Sequence, residues 1–189
     1  MTNGIEKGAV LRNGFNGETF IFSKPLNDAQ VAAFDVLLEE GGSGGGNALI
    51  HVHPTTEETF VVRSGRIKVV TNGKEQVVEA GQSTTVPPGV PHFFVNAHPG
   101  ATALTIEFRP AQQWISFFAN FGRLAERRPQ WFSAKGDPHL LLIALVFDSY
   151  RNHLYLAGLP IFLQKLLFGL LAPVARLRGY RLEVAPRPK

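Results

Sequence analysis

The chain of 189 residues contains no cysteine. That excludes disulfide scaffolds, thiolate zinc sites, iron–sulfur clusters and thiol nucleophiles together. Charged residues are scarce at 18%, against a usual ~25%, which implies more buried or partner-covered surface than a lone monomer needs. The opening MTNGIEKGAV has no basic start and no apolar run of signal-peptide length, so the expected location is cytoplasmic. The Gly41–Gly46 stretch lacks the Gly-Lys-Ser/Thr ending of a phosphate loop and reads as a flexible connection. With 44% hydrophobic residues, a packed core is expected rather than disorder.

What is present divides into two halves. Residues 1–110 hold 8 Lys/Arg against 11 Asp/Glu, whereas residues 111–189 hold 11 against 4, an asymmetry that marks two parts with different surroundings. The first half reads as short strands rich in Val, Thr, Ile and Phe: 18–23, 33–38, 48–52, 59–63, 66–71, 74–78, 83–86, 93–96 and 101–108. Asn72-Gly73 is a hairpin signal, since both residues tolerate the positive φ of a tight turn. Many short strands at even spacing predict a barrel or jelly roll over residues 1–110.

The second half, residues 111–189, changes period. Trp114, Phe117, Phe118, Phe121 and Leu124 follow helical spacing within 111–124. Asp137-Pro138 offers an N-cap and a first-turn proline for a helix over 140–147. A third helix is expected from Pro160, with Leu163, Leu166, Leu167, Leu170, Leu171 and Val174 on one stripe and Pro173 kinking or ending it. The run 154–175 has Gln164 and Lys165 as its strongly polar residues. It reads as a buried or oligomer-facing helix, with membrane-surface attachment as the alternative. The final stretch from Arg178 to Lys189 is basic and contains proline, and its end is expected to fray.

One constellation carries chemistry. His51 and His53 lie two apart, so in a strand they project to one face. Pro54 ends that strand, and a turn at 55–57 lets the next strand bring Glu58 alongside. His92 follows a Pro-Pro-Gly-Val-Pro turn that fixes the backbone ahead of it. Three imidazoles and one carboxylate form a ligand set for a first-row divalent transition metal: Fe, Mn, Ni, Cu or Zn. Glu57 is the alternative carboxylate, but it is Glu58 that leaves six residues before Gly65. Glu57 is then a rim charge or a group for proton transfer. Phe60, Val62 and Phe94 share strand parity with Glu58 and His92, and are candidate cavity-lining residues for a partly apolar substrate.

At these residues the sequence resembles the cupin superfamily. The first family motif is matched by Gly45, His51, His53, Glu58 and Gly65, the second by Gly81, Pro87, Gly89, His92 and Asn96. The resemblance implies an antiparallel jelly-roll β-barrel with His51, His53, Glu58 and His92 bound to one metal, followed here by a C-terminal α-helical extension. As to reaction it says little, because one such fold hosts many chemistries. The expectation is a metal-dependent enzyme of dioxygenase or isomerase type, with Glu58 or Glu57 accepting a proton. A non-catalytic small-molecule binding or sensing module is the alternative. The helices are expected to cover the barrel and to build a homodimer. Arg123, Arg127 and Arg128 near Trp131 read as a solvated helix end rather than a nucleic-acid surface, and His98, His139 and His153 are not expected to ligate a metal.

Overall fold

A computed structural model describes residues 4–42 and 49–186. Residues 43–48 lie outside the described residues, and with them most of the expected glycine-rich connection, the motif glycine Gly45 and the start of the strand expected over 48–52.

Alternation of apolar and polar residues produces two antiparallel sheets. The first joins, in spatial order, β1 (Val10–Asn13), β2 (Glu18–Ile21), β3 (Ala32–Leu38), β10 (Thr102–Arg109), β5 (Glu57–Ser64) and β8 (Ser83–Val86). The second joins β11 (Tyr155–Leu156), β4 (His51–Val52), β9 (His92–Asn96), β6 (Arg66–Thr71) and β7 (Lys74–Glu79). In β3 every second residue is buried, from Ala32 to Leu38, and β5 behaves likewise from Glu58 to Val62. Those inward faces share one core that includes Phe20, Phe22, Phe34, Phe60 and Phe108. Asn72 and Gly73 take φ values of 48° and 76° and close the β6–β7 hairpin with Thr71 opposite Lys74, as the sequence predicts.

Three helices follow: α1 (Trp114–Arg127), α2 (Leu140–Ser149) and α3 (Ile161–Leu177). α1 packs on β1 and β2; a Cβ at Gly122 would lie 2.7 Å from the Leu11 Cβ, so only glycine permits this approach. α2 begins at Leu140 with His139 as N-cap rather than Asp137. Asp137 is occupied by Ser133, whose hydroxyl binds its carboxylate at 3.1 Å, and Pro138 bridges to Phe132 instead of opening the helix.

α3 departs most from expectation. It runs past Pro173 to Leu177; Pro173 is exposed, so water can reach the carbonyl that loses its partner. Its buried residues are Gln164, Phe168, Ala172 and Ala175. Leu163, Leu166, Leu167, Leu170 and Val174, expected to be buried or oligomer-facing, are not buried within the chain but exposed on its surface. Gln164 explains the rotation: its amide binds the Leu156 amide and the Leu156 and Leu159 carbonyls at 2.8–3.0 Å, fixing that polar side inward. Among the described residues no helix is long and apolar enough to cross a membrane.

The C-terminal segment is anchored at least to Val184, which is fully buried. Asn120 accepts from the Glu183 and Val184 amides and donates to the Val184 carbonyl, each at 2.9 Å. Residues 187–189, the end of the stretch expected to fray, lie outside the described residues. Arg127 and Arg128 pair with Glu183 at 3.1 and 3.3 Å, so these arginines tie the C-terminal segment to α1.

Candidate metal centre

The cluster straddles the two sheets. β4 is short because Pro54 stops it, and it places His51 directly opposite His92 of β9. Glu58 arrives from the other sheet on β5. Potential ligand atoms of His51, His53, Glu58 and His92 all lie within 4.8 Å of one another. One Glu58 carboxylate oxygen is 2.8 Å from His92 Nε2 and 3.2 Å from His53 Nε2. His53, Glu58 and His92 are buried, and His51 borders a cavity. Glu57 occupies the opposite face of β5, half-exposed and opposite Arg109, and does not line the cavity.

Backbone carbonyls orient each ring. The Nδ1 of His51 donates to the Leu49 carbonyl at 2.8 Å, that of His92 to Val90 at 2.8 Å, and that of His53 to His153 at 2.9 Å. A carbonyl can only accept, so every Nδ1 carries its hydrogen and every Nε2 is left for the centre of the cluster. Gly89, in the turn before His92 with φ 79°, donates its amide to the His53 carbonyl at 2.8 Å. The two motifs thus hold each other.

Electrostatics follow the same geometry. Burial opposes ionisation of Glu58, yet hydrogen bonds from His53 and His92 and their charge outweigh it and hold the carboxyl well below its usual range. Burial likewise opposes protonation of His92, but the bond to Glu58 and its charge raise the imidazole above its ordinary value. His51 is pushed down to about 3, first by burial and then by the neighbouring His53 and His92. The donor set of three oriented imidazoles and one ionised carboxylate fits a first-row divalent ion.

The helical half completes this site. Trp114 at the start of α1 sets its indole edge-on to His53, with centroids 4.6 Å apart at 86°, and stacks on Phe108 at 4.2 Å. The His153 side chain accepts the Gln113 amide at 3.1 Å while its carbonyl holds His53. Strand β11 flanks β4, pairing Leu156 with His51. Beside the cluster lies a cavity of about 190 Å³, walled by Phe93 and Phe94 of β9, Phe117, Phe118 and Phe121 of α1, and Phe147 of α2. Its polar boundary comprises His51, His53 and Glu58, with Asn13, Asn16 and Glu18.

Of the three candidate lining residues, Phe94 borders the cavity, whereas Phe60 and Val62 do not. Both are buried core residues, and Phe60 packs on Phe94 with centroids 4.7 Å apart. Strand parity selects their face correctly but not their depth along β5. Phe117, Phe118 and Phe121 are visible in the sequence as a helical stripe; the density of aromatics within it is the signal that it walls a site.

Residues 34–107 match the family model described as the cupin domain. The matched segment of the β half is a cupin domain, and the fold is mainly antiparallel β-structure with C-terminal helices. Quercetin 2,3-dioxygenase of Bacillus subtilis (strain 168) is 28% identical over 91 residues, which cover 45% of this chain and 26% of that enzyme. The chain therefore spans about a quarter of that relative's length. Among solved structures, an RmlC-like cupin from Shewanella frigidimarina is 21% identical with a TM-score of 0.46, covering 61% of this chain and 99% of that one. KdgF from Halomonas sp. is 17% identical with a TM-score of 0.43, covering 52% and 84%.

Proposed function

We propose that this chain is a metal-dependent enzyme, oxygenase-type, acting on a small and largely apolar, aromatic molecule. The observation that carries the reading is the juxtaposition of a three-histidine, one-glutamate cluster with a phenylalanine-walled cavity. The match to a quercetin dioxygenase over 91 residues supports the choice of oxygenase chemistry. His51, His53, Glu58 and His92 would hold one divalent transition metal, Fe, Mn, Ni, Cu or Zn. Bound there, such an ion supplies Lewis acidity and, if redox-active, one-electron chemistry towards a chelated substrate and dioxygen.

The protein's own groups do the rest. The phenylalanine walls exclude water and stack a flat ring, which strengthens polar interactions at the open end of the cavity. Glu58 borders that cavity, so it is the carboxylate placed within reach of a substrate hydroxyl's proton. Glu57, on the far face, is not placed to do so.

The test is oxygen consumption by protein loaded separately with Fe(II), Mn(II), Ni(II), Cu(II) or Zn(II), against flavonols and other aromatic hydroxyketones. Turnover with a redox-active ion and none with Zn(II) is expected. Tight binding of these molecules without turnover under any ion would overturn catalysis in favour of a binding or sensing module.

A further inference from the structure

The outward face of α3 needs an occupant. Phe162, Leu166, Leu170 and Leu177 are 73%, 59%, 66% and 88% exposed, and Leu163, Leu167 and Val174 beside them are also exposed. They lie opposite the inward residues Gln164, Phe168, Ala172 and Ala175. The helix is therefore apolar on both sides: Phe168, Ala172 and Ala175 pack inward beside Gln164, while its leucines face solvent. A contiguous apolar patch of this kind on a folded chain marks an interaction surface.

The charge around the face decides what the surface meets. From residue 149 to 182 the sequence has no Asp or Glu, but carries Arg151, Lys165, Arg176, Arg178 and Arg181. The acids bordering the segment are already engaged: Asp148 by Arg151 and Arg176, and Glu183 by Arg127 and Arg128. Lys165 stands over the Tyr155 ring on one flank of the helix. Arg181 reaches back to the Arg176 carbonyl at the other end. A second copy of the chain would bring the same basic rim against this one, with no free acid in the segment to balance it. An anionic lipid surface offers both complements, acyl chains for the leucines and headgroups for the rim.

We propose that α3 is a membrane-docking helix, lying in the plane of an anionic bilayer with Phe162, Leu166, Leu170 and Leu177 inserted and Lys165, Arg178 and Arg181 at headgroup level. Among the described residues no helix, α3 included, is long and apolar enough to span, and attachment of this type needs no span. The N-terminal end of α3 adjoins the metal half: the Ala157 amide donates to the Ile50 carbonyl at 2.9 Å, and exposed Leu49, Ile50 and Leu159 extend the apolar surface from there.

Flotation of the full chain tests this with vesicles of phosphatidylcholine alone and of phosphatidylcholine mixed with phosphatidylglycerol. The wild type is expected to float with the mixed vesicles at low salt and to be released as salt screens the rim. Leu166→Ser/Leu170→Ser is expected to weaken binding about tenfold or more, and Arg178→Glu/Arg181→Glu to abolish the preference for anionic lipid. These side chains are exposed, and an unchanged near-ultraviolet circular dichroism spectrum verifies that the variants fold. Wild type that stays unbound to the mixed vesicles, or flotation untouched by the leucine change, overturns the proposal. So does a dimer that Leu166→Ser/Leu170→Ser converts to monomers without effect on lipid binding.

Discussion

Trp114 offers the sharpest perturbation, because it belongs to the helical half yet touches a proposed metal ligand. It is fully buried, stacks on Phe108 with planes 13° apart, meets Phe117 at 5.4 Å and backs His53 at 4.6 Å. Truncating such a side chain to alanine costs about 3–5 kcal/mol through lost burial and the hole left behind. Its indole nitrogen, however, is buried with no hydrogen-bond partner among the described residues, which is a penalty of about 1–3 kcal/mol that the native fold already carries. Trp114→Phe removes that penalty while keeping a ring against His53 and Phe108. The smaller volume and the relieved donor then offset each other, to within about 1 kcal/mol. In metal affinity, loss of the group that holds His53 edge-on should cost about 10–100-fold in Trp114→Ala and far less in Trp114→Phe. Urea unfolding of metal-free protein and chelator-competition titration measure the two quantities. A Trp114→Ala variant within ~1 kcal/mol of wild type with unchanged affinity, or a Trp114→Phe variant as damaged as Trp114→Ala, would refute the reasoning.

Other consequences are as direct. Gly65 has φ 74°, and a Cβ there would sit 2.3 Å from Thr102 Oγ1 and 3.0 Å from its Cα, so Gly65→Ala should destabilise by roughly 2 kcal/mol or more in urea unfolding. Glu58→Gln should lower metal content sharply, whereas Glu57→Gln should leave it at the wild-type level by elemental analysis. For metal-free protein, the folded-state values of His51 and His153 are depressed to about 3 and about 4 from 6.5. The unfolded chain therefore binds more protons in that window, and stability falls as pH drops below about 6.5. His92 is raised, so its contribution is complete below 6.5 and is lost as pH rises through its folded value. Thermal melts should accordingly show a maximum near neutrality, and a flat profile from pH 7 to 4.5 would contradict the assignment.

The β half is legible because its signals are local. The His51/His53 spacing, the Asn72-Gly73 turn and the alternation in β3 and β5 each act over a few residues, and each appears where that logic puts it. What escapes reading depends on long-range contacts. Strand β11 has two residues and exists because β4 presents an edge to it. His153 acts through its carbonyl, a group every residue carries, so no side-chain pattern could reveal its contact with His53. Phe60 and Val62 illustrate depth, which parity along a strand does not encode. The leucine stripe of α3 is real as a stripe, but its direction is set by Gln164, whose three backbone partners are up to eight residues away.

The central claim is that His51, His53, Glu58 and His92 form a metal centre. Elemental analysis of the freshly purified chain beside a His51→Ala/His53→Ala variant tests it most directly. The account predicts near-stoichiometric transition metal in the wild type and its loss in the variant. Equal metal in both proteins, or none in either even after reconstitution, would contradict it.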